Sequence, residues 1–349
     1  MKKIYIDHFE ISTHSKTFII AELSANHNGS LDNAIATIRA AKRAGADAIK
    51  LQTYTPDTIT IDAKTDDFIL KQGTIWDGKY LHDLYKEAYT PWEWHEELFS
   101  VAKEEDLICF SSPFDPSAVD LLELLNTPAY KIASFEITDI PLIELVASKG
   151  KPIIISTGIA TEEDIQLAVD TCRKAGNEQI ALLKCTSSYP APVAEANMVM
   201  VKDLAKRFGV ISGLSDHTIG TTVSIVATCF GAKIIEKHFI LDRSIGGPDA
   251  SFSMNEKEFT EMVKAVRDAE KAIGSVDYSL SQKKRKSREF SRSLYVTKNI
   301  EKGDIITKEN VRSIRPGYGM HPKFLYQILG KKFTKDAIRG TPLSADLIE

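Results

Sequence analysis

Apolar, β-branched runs alternate with polar, helix-forming stretches along most of the chain. The runs are FIIAELSANH (18–27), DAIKLQTY (47–54), ICFSSPF (108–114), AYKIASFE (129–136), PIIISTG (152–158), IALLKCTSSYP (180–190), VISGLSDH (210–217) and AKIIEKHF (232–239). Each is apolar almost without a gap, and each ends in a cluster of polar residues. Continuous apolar strands belong to a parallel sheet covered on both faces. Between the runs lie amphipathic stretches such as NAIATIRAAKRAG and EEDIQLAVDTCRKAG, which Gly45 and Gly176 stop in the manner of helix C-caps. Eight strand–helix units predict an α/β fold of the closed (β/α)8 TIM-barrel type rather than an open, doubly wound sheet. No GxGxxG follows the first run, which counts against a dinucleotide-binding fold.

The connection from Thr55 to about Trp94 is longer than the others and includes GTIWDGKYLHDLYKEAYTPWEW. A long barrel loop of this kind is expected to serve or cover an active site. NEKEFTEMVKAVRDAEKAIG reads as the last barrel helix, so a catalytic domain is expected over 1–274. A polar, basic stretch, SLSQKKRKSRE, reads as a solvated linker within 275–292. Residues 293–349 then form a small second domain with short strands and turns at KGD and RPGYG. A unit of that size is marginal alone, so it is expected to pack on something.

Composition narrows the function. The 349 residues are 43% hydrophobic and 26% charged, with a net charge of −4. This gives no reason to expect nucleic acid or an acidic membrane as partner. There is no apolar run long enough for a signal peptide at the N-terminus or for a transmembrane helix elsewhere. Cys109, Cys185 and Cys229 lie in apolar surroundings, Cys172 falls in a predicted helix, and no CxxC spacing occurs. Reduced cysteines and a cytoplasmic location are expected.

The chemistry collects at the C-terminal ends of the runs, which in a barrel open on one face. The eighth run poses the question most sharply. Glu236, Lys237 and His238 interrupt an apolar strand, and burying ionisable groups is costly unless they are paired or bound. The other ends supply Glu22, Asn26 and His27; Lys50 and Gln52; Ser111 and Ser112; Lys131, Ser134 and Glu136; Ser156 and Thr157; Lys184, Ser187 and Tyr189; and Ser215, Asp216 and His217. His217 and His238 are 21 residues apart but stand on neighbouring strands. Two such imidazoles fit a metal site with open positions, or two hydrogen-bonded structural histidines. Asp249, after the turn SIGGPDA, can approach the same place. Lys50 and Lys131 with a ring of serines suit a phosphate or carboxylate. Lys131 also fits a Schiff-base aldolase. Glu22 and Glu136 are candidate acceptors for substrate hydroxyls or amides, and Glu236 a ligand-orienting group or a base. Lys237 should point the other way and pair with a carboxylate under the helices.

These residues stand in motifs. AELSANHNG, IKLQT, SSPFD, YKIASFE, ISTG, CTSSYPAP, GLSDHTIG, EKHFILDRSIGGPD and the tail RSLYVTKNIEKGDIITKENVRSIRPGYG together resemble the sialic acid synthase family over nearly the whole chain. The resemblance implies a barrel with a C-terminal antifreeze-like (SAF-type) domain. It implies condensation of phosphoenolpyruvate with an amino-sugar aldehyde, releasing phosphate by C–O cleavage, with a divalent metal ion, Mn2+ or Mg2+. By motif position, His217 and His238 resemble the metal ligands, and Lys50, Lys131, Ser112, Ser134, Ser156, Ser187 and Ser215 the phosphoenolpyruvate cradle. Glu136, Tyr189 and Asp249 resemble groups that hold the sugar, with Glu22 and Gln52 also in the site. Arg315 in IRPGYG resembles an arginine brought by the small domain of a partner in a domain-swapped homodimer. KIASFE and CTSSYP, where N-acetylneuraminate enzymes typically read KIGSGE and CTNIYP, resemble the branch that uses a 2,4-diacetamido-2,4,6-trideoxy sugar. Phe135 then adds apolar surface where such a sugar carries a methyl. N-acetylneuraminate or legionaminic acid synthesis, and a non-catalytic glycan-binding role, are the alternatives.

Overall fold

The computed structural model describes residues 2–71, 73 and 75–349. Thr74, inside the aromatic-rich loop stretch, lies outside the described residues. Two compact units are present, Met1–Gly274 and Ser275–Glu349.

The first unit is the expected barrel. A hairpin of β1 (Lys3–Ile6) and β2 (Phe9–Ser12) precedes it. The barrel strands are β3 (Phe18–Glu22), β4 (Ala48–Thr53), β5 (Ile108–Pro113), β6 (Tyr130–Ile132), β7 (Ile153–Ser156), β8 (Ile180–Cys185), β9 (Ile211–Asp216) and β10 (Ile234–His238). They pair in parallel in sequence order, and β10 closes on β3. Each strand is shorter than its apolar run, because the polar residues at each end leave the ladder for loops.

The period-two geometry of a strand decides what faces inward. Ile20, Ala48, Phe110, Ala129, Ile154, Leu183, Ile211 and Ile234 fill the barrel interior as one apolar cluster. Two residues further along their strands stand Glu22, Lys50, Ser112, Lys131, Ser156, Cys185, Gly213 and Glu236. The polar mouth is therefore the next layer of the same inward-facing rows. Residues of opposite parity, such as Ile19, Ile49, Leu51 and Ile235, pack outward on the helices. Gly213 lets β9 and β10 approach closely: a Cβ there would lie 2.3 Å from the Ile234 carbonyl oxygen.

The N-terminal hairpin was not legible in the apolar pattern. Its Ile4, Ile6 and Ile11 join the interior cluster and close the N-terminal end of the barrel. The helices begin and end on expected signals. Helix Glu162–Lys174 opens on a capping box of Thr161 and Asp164, with acidic residues in its first turn and Arg173 and Lys174 in its last. Helix Glu256–Ile273 opens on the Asn255–Glu258 box. Gly45 and Gly176 take positive φ (87° and 82°) just past their helices, where other residues would be strained. Cys229 is exposed, unlike the other three cysteines, because it ends a surface helix instead of lying in apolar surroundings.

In the second unit, the basic stretch forms a short exposed helix, Gln282–Ser287, capped by Ser281. β11 (Ser293–Val296) and β12 (Val311–Ile314) pair antiparallel over a small core that includes Leu294, Val296, Ile328 and Phe333. Among the described residues, no helix is long and apolar enough to cross a membrane.

Candidate active site

At the mouth, β3, β4, β6 and β10 bring two ammonium groups and two carboxylates into one buried cluster. Lys50 Nζ lies 2.8 Å from Glu22 Oε2 and 3.8 Å from Glu236 Oε1. Lys131 Nζ lies 3.6 Å from the same Glu236 oxygen. Gln52 donates to Glu22 Oε1 (3.0 Å), Ser215 to Glu236 Oε1 (3.1 Å), and Lys50 to Ser112 Oγ (3.2 Å). Burial pushes the Glu22 carboxyl up to about 7 against the opposing pull of Lys50. Burial also works against Glu236, but Lys131, Lys50 and the Ser215 hydroxyl outweigh it and hold this carboxylate low. Burial lowers the Lys131 ammonium. Glu136, on the turn after β6, is raised to about 7 by burial in spite of Lys131.

Beside the cluster is a pocket of small polar groups. The Gly158 backbone N–H, after β7, donates to Ser134 Oγ at 3.1 Å. A Cβ at 158 would stand 2.1 Å from Ser187 Oγ and 2.7 Å from Ser134 Oγ, so glycine lets the two hydroxyls converge. Ser156 Oγ is buried here without a partner, as are Glu136 Oε2 and Glu236 Oε2. Buried polar atoms are seldom left unpaired, so several orphans at one barrel mouth point to a ligand that completes them.

The two histidines meet as expected, with ring centroids 5.4 Å apart. His217 Nδ1 lies 2.9 Å from the Thr186 carbonyl oxygen. A carbonyl only accepts, so Nδ1 carries a proton and Nε2 is the nitrogen left for a ligand. His238 Nδ1 is buried with no hydrogen-bond partner, 3.6 Å from Asp249 Oδ2. Burial, then the neighbouring His217, keeps His238 neutral. Asp249 is fixed in turn by the Ser24 hydroxyl at 2.5 Å. This donor set of two imidazoles and a carboxylate fits a divalent cation. A tighter trio, Asp62, His82 and Asp83, exists on the long loop. There Lys64 Nζ already lies 3.3 and 2.6 Å from the two carboxylates, and His82 pairs with Asp57 at 2.9 Å. The two carboxylates of that trio are exposed and are already compensated by a lysine.

An aromatic wall borders the imidazoles. Tyr189 lies 4.3 Å from His217 and 5.2 Å from Phe252, centroid to centroid. Trp76 of the long loop stands 5.6 Å from Tyr189 and donates to the Pro248 carbonyl. Phe135 is 60% exposed on the turn that carries Glu136. Arg315 belongs to the second unit, just past β12, and is exposed.

Several polar residues expected at the mouth face the opposite way. Ser111 bonds Thr53, which bonds His95. His27 meets Thr90, Asn26 holds the Phe239 carbonyl, and Asp216 binds Lys237. Strand parity, or the turn just past the strand, sends each of them behind the sheet. Lys237 does find its carboxylate there. Cys185 was read only as a core cysteine, yet it lies 3.8 Å from His217 Nδ1. Its inward parity with Leu183 was the signal. Ser24 and Gly158 lie within AELSANHNG and ISTG but were not singled out there, and Phe252 lies outside every quoted motif.

A closed parallel barrel whose mouth gathers paired lysines, carboxylates and an imidazole pair has the architecture of an enzyme active site. The chain belongs to the NeuB family, whose model matches residues 37–278, with a SAF domain matching 291–349. It is 50% identical over 332 residues (95% of this chain, 97% of the relative) to the pseudaminic acid synthase of Helicobacter pylori. Identity is 48% over 332 residues (95% and 96%) with the pseudaminic acid synthase of Campylobacter jejuni. It falls to 35% over 337 residues (95% and 94%) with the N,N'-diacetyllegionaminic acid synthase of Legionella pneumophila. Among solved structures, the N-acetylneuraminic acid synthetase of Leptospira borgpetersenii, in complex with citrate, superposes with a TM-score of 0.73. That match has 28% identity and covers 82% of this chain and 95% of the other.

Proposed function

We propose that the protein condenses phosphoenolpyruvate with 2,4-diacetamido-2,4,6-trideoxy-L-altrose to give pseudaminic acid and phosphate. The observation that carries the reading is the convergence of Lys50 and Lys131 with the Ser134–Gly158–Ser187 pocket inside one barrel mouth. The choice of sugar rests on the step in identity, 48–50% to pseudaminic acid synthases against 35% to a legionaminic acid synthase.

In this mechanism Lys50 and Lys131 neutralise the carboxylate and phosphate of phosphoenolpyruvate, and Ser112, Ser134, Ser156, Ser187 and Ser215 orient them. Gln52, Glu136, Tyr189 and Asp249 hold the open-chain sugar so that its aldehyde carbon faces C3 of the enol. His217 and His238 would hold a divalent metal, Mn2+ or Mg2+, which would supply Lewis-acid chemistry toward a carbonyl oxygen. The C3–C1 bond forms, the aldehyde oxygen gains a proton, and water adds at C2 with loss of a proton. Glu22 and Glu136, both near 7, are the groups suited to take and return these protons. The C2–O bond then breaks, and phosphate leaves into the lysine and serine pocket. Glu236 keeps both lysines in place. Trp76, Tyr189 and Phe252, with Phe135 on the rim, offer apolar surface to the methyl of a 6-deoxy sugar.

The second unit supports a capping role. Residues 275–349 carry 16 Lys and Arg against 8 Asp and Glu, while residues 1–274 carry 28 against 40. Opposite net charges of this size favour docking of the basic unit on the acidic barrel of a partner copy. A domain-swapped cytoplasmic homodimer with Arg315 reaching the sugar belongs to the same proposal.

The test is a product assay with phosphoenolpyruvate and either the diacetamido-trideoxy-altrose or N-acetylmannosamine, with and without EDTA, in water enriched in heavy oxygen. The expected result is metal-dependent turnover of the first sugar with the label in the keto acid. Label in phosphate, or a preference for N-acetylmannosamine, would reject the proposal.

A further inference from the structure

The back of β9 and β10 carries a polar group that the mechanism does not use. Asp216 and Lys237 stand directly opposite in the ladder, and Nζ lies 2.7 Å from Oδ2. Both side chains are 1% exposed. The carboxylate is saturated: Oδ1 accepts from the backbone N–H (2.8 Å) and hydroxyl (2.7 Å) of Thr218, and Oδ2 accepts from Ser224 Oγ (2.9 Å) as well as the lysine. Lys237 also donates to the Thr218 carbonyl at 2.5 Å. Thr218 is thereby held at its N–H, its hydroxyl and its carbonyl.

The residues next along these two strands are His217 and His238. Strand parity turns Asp216 and Lys237 to the rear and the two imidazoles to the front. His217 sits between Asp216 and Thr218, so the rear network clamps its backbone on both sides. On β10, Lys237 is the residue immediately before His238. Ser224 lies in the first turns of helix Thr222–Cys229, which ties the clamp to the outer layer. A buried ion pair is a poor device for stability, because an apolar pair of like volume is often as good or better. What it does provide is a fixed register between two strands.

We propose that Asp216 and Lys237 are positioning residues that set the separation of the two imidazoles, and so the affinity of the site for a divalent cation. The proposal rests on the reading of His217 and His238 as the metal ligands.

The test measures Mn2+ binding to the full-length protein, from the electron paramagnetic resonance signal of the free ion, together with Tm. The Asp216→Leu/Lys237→Met double variant keeps apolar volume behind the sheet. It strands the Thr218 N–H, hydroxyl and carbonyl and the Ser224 hydroxyl, so Tm is expected to fall, and the folded protein is expected to bind Mn2+ about tenfold or more weakly, the range found when groups that orient metal ligands are removed. The Mn2+ concentration for half-maximal turnover should rise in step, with kcat at saturating Mn2+ largely recovered. Wild-type Mn2+ affinity in the double variant overturns the proposal. Should the double variant not fold, Asp216→Asn and Lys237→Arg serve the same purpose: Lys237→Arg, which keeps the pair, should retain more affinity than Asp216→Asn, and equal wild-type affinity in both overturns the proposal. His217→Gln separates the two levels of the argument. If it leaves Mn2+ binding intact, the ligand assignment itself fails; if it abolishes binding while the Asp216 and Lys237 variants do not weaken it, only the positioning role fails.

Discussion

Gly158 lies directly beneath Ser187, so close that a Cβ at position 158 would come within 2.1 Å of the serine hydroxyl. The same Cβ would crowd Ser134, the acceptor of the Gly158 N–H. Gly158→Ala should therefore push the two hydroxyls apart and close the pocket assigned to phosphate. The expected outcome is a KM for phosphoenolpyruvate raised by about tenfold or more, of the order lost when one or two charge-assisted hydrogen bonds go. The KM for the sugar should move far less. Steady-state kinetics with each substrate varied in turn checks this, and equal changes in both constants would count against a phosphate pocket.

Lys50 and Glu22 make a second prediction, about charge balance. Both are buried, and each compensates the other at 2.8 Å. Lys50→Met leaves Glu22 and Glu236 with one cation fewer, and breaking a buried pair in this way costs about 3–5 kcal/mol unless the orphaned group protonates. Glu22→Gln placed on top should recover part of the lost Tm, because it removes the stranded carboxylate. It should not recover turnover, because the ammonium proposed to receive the substrate anion is still missing. Thermal melts and assays of the two single variants and the double form the cycle.

The same inward-facing rows explain what was legible beforehand. Period two carries Ile20 to Glu22, Ala48 to Lys50 and Ile234 to Glu236, so unbroken apolar runs with polar ends announce both barrel and mouth. The rearward turn of Lys237 toward a carboxylate followed from the parity of β10, but that carboxylate, Asp216, had been expected at the mouth. Three features escaped for physical reasons. The hairpin Lys3–Ser12 is too short to show a helix or barrel period, and its role appears only when Ile4, Ile6 and Ile11 meet the barrel interior. Ser111 and Asp216 sit beside true mouth residues in sequence, and only the register of each strand tells the faces apart. Gly158 acts through backbone placement, which a side-chain pattern does not report, and Ser24 acts through a hydroxyl whose partner, Asp249, is distant in sequence.

Glu136 gives a pH prediction. Burial raises its carboxyl to about 7 from an ordinary value near 4.5. The folded protein thus prefers the protonated form more than the unfolded chain does. That preference is fully present below about 4.5 and is lost as pH rises through about 7. Relative to Glu136→Gln, which cannot ionise, the wild type should lose stability between pH 5 and pH 8, by on the order of 2–3 kcal/mol. Chemical denaturation of both proteins across this window, compared at each pH, isolates the effect from Glu22, which titrates in the same range. A constant difference between the two proteins would mean that Glu136 is ionised throughout.

The aromatic wall makes the last prediction, on sugar choice. Trp76 reaches the mouth from the long loop, stands 5.6 Å from Tyr189 and is anchored by its indole N–H to the Pro248 carbonyl. Trp76→Ala should remove apolar surface that a methyl-bearing sugar covers and a hydroxymethyl-bearing one does not. Burial of one methyl group is worth about 1 kcal/mol, so discrimination between the two kinds of sugar should fall roughly fivefold. The KM for phosphoenolpyruvate and the Mn2+ requirement should stay as they are. Competition between the trideoxy-altrose and a 6-hydroxy analogue, scored as the ratio of kcat/KM, measures it. An unchanged ratio would place the methyl elsewhere in the mouth, and Phe135→Gly would then be the variant expected to change it.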